Sequence, residues 1–216
     1  MPFQLVQLPV DDAQRETGPY RPLSRDNVSS KLSREYFTLL GTLSSSERGL
    51  TFFDKHHFYD NLYTLYDDQS HDYLTRLLIP TIDYGINKKG RTLLETWVKS
   101  GSLSLRHYAI SQLRLLLRRK IGEFWTWGIG LLVSQLQWTD EELALSALSV
   151  LEEACQDETN LVTLIKKKPS FKAVGNRANN LRTVFLSNEL GIELLGKQGL
   201  IEPLLACWKD GDGVER

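Results

Sequence analysis

Sulfur is scarce in this chain of 216 residues, which holds two cysteines, Cys155 and Cys207, and a single methionine. A small secreted domain stapled by disulfides needs more thiols, so that class is set aside, and both cysteines fall on apolar helical faces where buried thiols are expected. An excess of either charge is also missing. Lysine and arginine number 26 against 27 acids, a formal net charge of −1, so no global field draws the chain to nucleic acid or membrane. No apolar run reaches about 18 residues, so no membrane-spanning helix is expected. The first residues lack a basic segment followed by a long apolar core, so a secretory signal is not expected and the expected location is cytoplasmic, peripheral at membranes only as part of a complex. There is no Gly-x-Ser-x-Gly elbow and no Cys/His cluster at ligand spacing, so neither enzyme chemistry, a cofactor nor a metal is implied.

What is abundant is helical periodicity. Between residues 128 and 137, Ile129, Leu132, Val133 and Leu136 recur at the i, i+3, i+4, i+7 positions of one helical face. Trp138 ends that run, and Thr139 with Glu142 three residues on predicts a capping box. The next helix, 140 to about 156, stacks Ala144, Ala147, Leu148, Leu151, Ala154 and Cys155 on one side; a third unit begins at Asn160 and stops near Pro169. Consecutive short helices with broad apolar faces cannot bury those faces alone. They need neighbours of the same kind, which is the logic of armadillo and HEAT solenoids.

The remainder fits an all-α, armadillo/HEAT-like helical-repeat solenoid with an extended N-terminal arm. Residues 1–26 hold four prolines and read as an arm or linker. The helical-repeat domain is expected over 27–208, its first helix capped by Asn27 or Ser29, and 209–216 as a frayed tail. Pro80 should shorten the helix that begins near Tyr73. The longest helix, about 102–120, carries Ala109, Ile110, Leu113, Leu116 and Leu117, widened by Tyr108 and Leu115, which predicts burial against two neighbours. All five tryptophans are expected in the core. A loose repeat, in which Gly or Asn precedes an apolar cluster, recurs at Gly49, Gly90, Asn160 and Gly191, at intervals of 41, 70 and 31 residues. The outer intervals bracket the armadillo/HEAT period of about 40–47 residues.

Candidate chemistry is sparse. Gly191, Gly196 and Lys197 share the skeleton of a phosphate loop, but Gln198 stands where a magnesium-binding hydroxyl is required and the intervening residues form a helical face. His56 and His57 are adjacent and point to different helix faces, a poor chelate. The charge pattern says more. Lys88, Lys89, Arg91, Arg106, Arg114, Arg118, Arg119 and Lys120 lie in a segment whose only acid is Glu95. Arg114 and Arg118 are one turn apart on the polar face of the long helix. These residues are a candidate docking surface for an acidic partner or a phosphate group; the plainer alternative is a solvated face balanced by the acidic helix after Thr139. Nucleic acid is disfavoured because aromatics are not interleaved with the basic residues. The Trp-x-x-x-Asn ladder with which importin-alpha-type adaptors read basic peptides is missing.

At the organising stretch the sequence becomes specific. Trp127-Gly128-Ile129, the run from Leu131 to Leu136, Ala147-Leu148, Leu151-Glu152-Glu153-Ala154-Cys155, Asn160-Leu161, Leu164-Ile165 and Lys168-Pro169 resemble the middle region of the Rictor/pianissimo family. Upstream, the run from Tyr36 to Ser44, Asp83-Tyr84, Arg106-His107-Tyr108-Ala109 and the run from Leu113 to Arg118 are similar in the same order, and Gly175, Phe185-Leu186-Ser187, Gly191, Gly199 and Trp208 continue it. The resemblance covers roughly residues 30–208. It implies a non-catalytic helical-repeat scaffold of the second target-of-rapamycin complex, which excludes rapamycin-bound immunophilin and recruits AGC-kinase substrates. The partners it implies are the target-of-rapamycin kinase, its WD-repeat subunit and the stress-kinase-interacting subunit. Family members are much longer, which suggests an excised domain. A helical-repeat module binding phosphoinositide or nucleic acid through residues 88–120 is the alternative.

Overall fold

The computed structural model describes residues 31–66, 72–138 and 140–209. The expected arm over 1–26, the caps at Asn27 or Ser29, and the tail beyond Lys209 lie outside the described residues. Twelve α-helices and one 3-10 turn make up the regular structure, with no strand among the described residues. The chain is all-α, as the periodicity predicts. It divides into two compact units, residues 1–112 and 113–216.

The first unit contains α1 (Lys31–Ser44), α2 (Glu47–Lys55), α3 (Phe58–Tyr66), α4 (Asp72–Leu78), α5 (Lys88–Ser100) and most of α6 (Leu103–Arg118). Helix α1 packs on α2, α2 on α3, and α3 on α5. Phe53 and Phe58 stack with centroids 4.2 Å apart, and Leu93, Leu94 and Trp97 present the inner face of α5. Pro80 lies just beyond the end of α4, as expected of a residue that removes a helical donor.

The second unit holds the end of α6, then α7 (Phe124–Gln135), α8 (Glu141–Ala154), α9 (Glu158–Lys166), the 3-10 turn Gly175–Ala178, α10 (Asn179–Phe185), α11 (Glu189–Lys197) and α12 (Ile201–Lys209). Helix α7 packs on α8 and α9, α8 on α10, α9 on α11, and α11 on α10 and α12. Helices therefore meet both the next helix and the next but one. Stacked helical hairpins produce that pattern, because each hairpin covers the apolar face of the one before it. Ala144, Ala147, Leu148, Leu151, Ala154 and Cys155 are all buried, the stripe read from the sequence.

The loose repeat has a structural meaning. Gly49, Gly90, Asn160 and Gly191 each stand three residues after an N-cap, respectively Ser46, Asn87, Asp157 and Asn188. All four are buried. At three of the corners a Glu follows the cap: Glu47, Glu158 and Glu189. There the cap N–H also donates to a carbonyl three residues back, Ser46 to Leu43, Asp157 to Ala154 and Asn188 to Phe185, at 3.1–3.3 Å. The cap side chains accept from the first-turn N–H groups of the new helix, which have no intrahelical partner. Two of these corners admit only glycine. A Cβ on Gly49 would lie 2.0 Å from the Leu43 carbonyl oxygen, and one on Gly191 2.1 Å from that of Phe185.

Four details depart from the sequence-based expectation. Helix α7 begins at Phe124, before the apolar run that starts at Ile129, because the aromatic cluster is itself the first turn. The cap of α8 is Asp140, whose Oδ1 accepts the Leu143 N–H at 2.8 Å; Thr139 lies outside the described residues. Tyr108 and Leu115 are exposed, so the buried stripe of α6 is narrower than read, and Arg106 and Gln112 are buried on it. The tryptophans do not all enter the core: Trp97 is 1% exposed, but Trp125 is 44% and Trp138 40% exposed. Trp125 is the second residue of α7, one position off the buried Phe124 and so on another face of the helix, and Trp138 lies past the end of α7.

Candidate interaction surface

The eight basic residues singled out in the sequence occupy different environments. In the first unit, Lys88 is the exposed first residue of α5 and makes no ion pair among the described residues. Lys89 Nζ is 2.8 Å from Asp54 Oδ1, and that hydrogen bond raises the lysine pKa. Arg91 donates from Nε to the Tyr84 carbonyl at 2.7 Å and from its guanidinium to the Gly85 carbonyl, fastening the loop before α5. Arg106 is buried, and its Nε donates to the Val98 carbonyl at 2.9 Å, satisfying one of the last carbonyls of α5.

In the second unit, Arg114 and Arg118 converge on α8. Arg118 grips Glu153 with two bonds, Nε to Oε1 at 2.5 Å and Nη2 to Oε2 at 3.0 Å. Arg114 donates from Nη2 to Ser149 Oγ at 2.5 Å, with its Nε 3.4 Å from Glu153 Oε2. The two pairs are each one turn apart on their own helices, so α6 and α8 run in register here. Hydrogen bonding from Arg118, with the nearby charge of Arg114, holds the Glu153 carboxyl below its ordinary pKa of 4.5. Arg119 and Lys120 are exposed and make no ion pair among the described residues.

Beside this clasp lies an open groove of about 620 Å³. Its walls come from the end of α6, the turn into α7, the end of α8 and the start of α9. Two residues of the turn have left-handed backbone: Lys120 at φ 52° and Glu123 at φ 58°. Lys120 closes α6 with a 5→2 and 6→1 pair of bonds, its own N–H to the Leu117 carbonyl at 2.9 Å and the Ile121 N–H to that of Leu116 at 3.2 Å. Gly199 does the same after α11 at φ 65°. Left-handed backbone strains a residue that carries a Cβ by about 1–2 kcal/mol, so Lys120→Gly should stabilise the chain by roughly 0.5–1 kcal/mol in urea unfolding. A loss of stability would show that the lysine side chain contributes more than its backbone strain.

No group of three His, Cys, Asp or Glu residues among the described ones is placed to hold a metal ion. Burial pushes the Cys155 thiol up to about 12, so it is protonated and unreactive near neutral pH. The Gly191-to-Lys197 segment is helix α11, not a phosphate-cradling loop.

Two family models match the chain in succession. Residues 14–117 match the middle domain of the rapamycin-insensitive companion of mTOR, and residues 123–215 match the RasGEF_N domain of the same protein. The chain belongs to the Rictor family. Pianissimo A of Dictyostelium discoideum is 37% identical over 189 residues, covering 87% of this chain and 16% of that protein. The human rapamycin-insensitive companion of mTOR is 33% identical over 190 residues, 88% of this chain and 11% of that one. The target of rapamycin complex 2 subunit ste20 of Schizosaccharomyces pombe is 26% identical over 188 residues, 86% and 14% respectively. The chain thus spans less than a fifth of each of these Rictor-family relatives. Within this Rictor-family chain, the two matched regions adjoin at residues 118–122, the turn that carries Lys120 and forms one wall of the groove.

Sequence reasoning located the basic residues but not the contacts of Arg114 and Arg118, whose partners are 35 residues away. It missed the groove. From the sequence Asn160 reads as a repeat marker and Trp125 as a core residue, while both line this groove. A tryptophan beside a helix start, outside the apolar period of its own helix, was the available signal.

Proposed function

We propose that this chain is a non-catalytic scaffold segment that supports assembly of the second target-of-rapamycin complex and recruitment of AGC-kinase substrates. Its partners in that reading are the target-of-rapamycin kinase, its WD-repeat subunit and the stress-kinase-interacting subunit, in the cytoplasm and peripherally at membranes as part of the complex. The observation that carries the reading is the ordered match to two consecutive regions of the rapamycin-insensitive companion of mTOR over 14–117 and 123–215. Helix-on-helix stacking suits the role, since it presents long surfaces for contact. The helical-repeat body is proposed to extend over 27–208.

The basic residues are proposed as docking surfaces for an acidic partner, one on each unit: Lys88 on the first, Arg119 and Lys120 on the second, none of which has an ion pair among the described residues. Co-precipitation of the tagged chain with the three complex subunits tests the assignment: all three should be recovered, and recovery of none rejects it. Lys88→Glu with Arg119→Glu should weaken that recovery at least tenfold. Reversing Arg114 and Arg118 instead would break the Glu153 clasp and confuse folding with binding. The alternative is that the same unpaired cations bind an anionic lipid headgroup or RNA. Salt-dependent binding to phosphoinositide vesicles or RNA, with no subunit recovered, would favour it.

A further inference from the structure

From Thr159 to Asn188 the chain carries six basic residues, Lys166, Lys167, Lys168, Lys172, Arg177 and Arg182, and no acid. The segment runs from α9 through the 3-10 turn and past the end of α10. The near-zero net charge of the whole chain hides this excess. All but Arg182 are exposed. Folding brings few counter-ions to them. Arg177 has Glu141 at 3.4 Å, and Lys168 adds weakly to the pull of Lys197 on the Glu193 carboxyl. Lys166, Lys167 and Lys172 make no ion pair among the described residues.

Arg182 carries the argument further. Two arginines are buried among the described residues, Arg106 at 6% exposed and Arg182 at 8%. Arg106 Nε has the Val98 carbonyl, whereas Arg182 Nε is sealed from solvent and has no acceptor. The Arg182 guanidinium lies over the Phe171 ring, 5.4 Å from its centroid, and Nη1 donates to the Asn179 amide oxygen at 2.8 Å. Neither neighbour is charged. Burial lowers the Arg182 pKa, and no carboxylate is near enough to raise it again. A desolvated cation without a counter-ion works against folding, and an apolar side chain of similar size would suit the site better. Lys172, exposed, follows Phe171 directly in the chain and adds a second positive charge.

What the segment lacks decides which anion fits. Its aromatic residues, Phe171 and Phe185, are buried edge to face with centroids 5.9 Å apart, so no ring is free to stack a nucleic-acid base. No large apolar side chain is exposed between 159 and 188, so nothing is offered to the acyl boundary of a bilayer. An arginine fork near several lysines suits a row of carboxylates, the arginine taking one of them through two parallel bonds.

We propose that the segment joining α9 to α10, together with Arg182, is a docking site for an acidic segment of a partner protein: one Asp or Glu carboxylate pairs with Arg182, and neighbouring acids meet Lys172 and the run from Lys166 to Lys168. This surface is separate from Lys88, Arg119 and Lys120. It stands whichever assembly the chain joins, so its failure and failure of the target-of-rapamycin assignment are distinguishable.

The test is fluorescence polarisation of a labelled deca-glutamate peptide with the intact 216-residue chain, against deca-glutamine as the neutral control. The glutamate peptide alone should bind, and more weakly as salt rises. Lys172→Glu, at an exposed position, should weaken binding at least tenfold and leave the thermal melt unchanged. Arg182→Met should also weaken binding at least tenfold. Without peptide it should raise the melting temperature, because it removes a buried charge that nothing in the chain neutralises. Lys88→Glu with Arg119→Glu should leave the affinity unchanged. The proposal is overturned if deca-glutamate fails to bind, if Arg182→Met binds it equally well, or if the Lys88/Arg119 reversal weakens it as much. A lower melting temperature for Arg182→Met also overturns it, since the guanidinium would then be a structural prop between Phe171 and Asn179. So does displacement of the peptide by phosphatidylserine vesicles or single-stranded RNA whose own binding is lost in Arg182→Met.

Discussion

Gly191→Ala should destabilise the second unit by about 3 kcal/mol or more, although alanine normally favours a helix over glycine by about 1 kcal/mol. The added methyl carbon would lie 2.1 Å from the Phe185 carbonyl oxygen and 2.8 Å from its carbon, well inside van der Waals contact. The obstacle is backbone, which cannot swing aside like a side chain. To admit the methyl group, α11 must lift off the end of α10, and both helices lose buried surface. Gly196 gives the control within the same helix. Its nearest neighbour would be Ile201 Cδ1 at 3.5 Å, an ordinary contact. Gly196→Ala should therefore stabilise by roughly 0.5–1 kcal/mol. Opposite signs for one chemical change, five residues apart, separate corner geometry from propensity. At about 2–4 °C per kcal/mol for a chain of this size, the two melting temperatures should differ by roughly 10 °C. A Gly191→Ala chain that melts with or above the unsubstituted one would show that the corner opens easily. Gly49→Ala should repeat the loss in the first unit.

Asn87→Ala is expected to cost about 2–4 kcal/mol, more than a helix cap alone provides. Asn87 has two functions. Its Oδ1 accepts the Gly90 N–H at 2.8 Å, starting α5, and its Nδ2 donates to the Tyr59 hydroxyl of α3. Both residues are buried, and burial holds the Tyr59 phenol up to about 12, so the hydroxyl stays neutral. Removing the amide loses the cap, worth about 1 kcal/mol, and strands a buried hydroxyl, worth about 1–3 kcal/mol more. Asn188→Ala is the comparison, since its side chain caps α11 and makes no other hydrogen bond among the described residues; it should cost only about 1 kcal/mol. Adding Tyr59→Phe to Asn87→Ala removes the stranded group, so the double variant should be less destabilised than the sum of the two. Additive losses in urea titrations would show that Asn87 acts as a cap only.

Helix positions were legible because apolar residues recur at the helical period on α8, α9 and α11, and turn chemistry separates them. The repeat at Gly49, Gly90, Asn160 and Gly191 was visible as spacing, but its cause, a cap three residues earlier folded against a carbonyl, exists only in three dimensions. The start of α7 was misjudged because Phe124, Trp125 and Trp127 are apolar on all sides and hide the period. Burial of Arg106 could not be read locally, since its partner is the free carbonyl end of α5. The pairing of Arg114 and Arg118 with α8 depended on which helix lies beside α6, something no local pattern encodes. The groove residues were least legible, because Asn160 and Trp125 belong to different helices and become neighbours only through hairpin stacking.

The three cap-Glu corners also constrain how the length of this chain can vary. Each link holds the cap three residues past the last carbonyl it touches and three before the buried Gly or Asn. An insertion or deletion of one residue there would turn the following helix by about 100° about its own axis, moving its apolar face away from the neighbour. Natural gain or loss of residues among relatives should therefore avoid residues 43–49, 154–160 and 185–191 and gather in stretches without such a corner, such as the segment between α9 and the 3-10 turn.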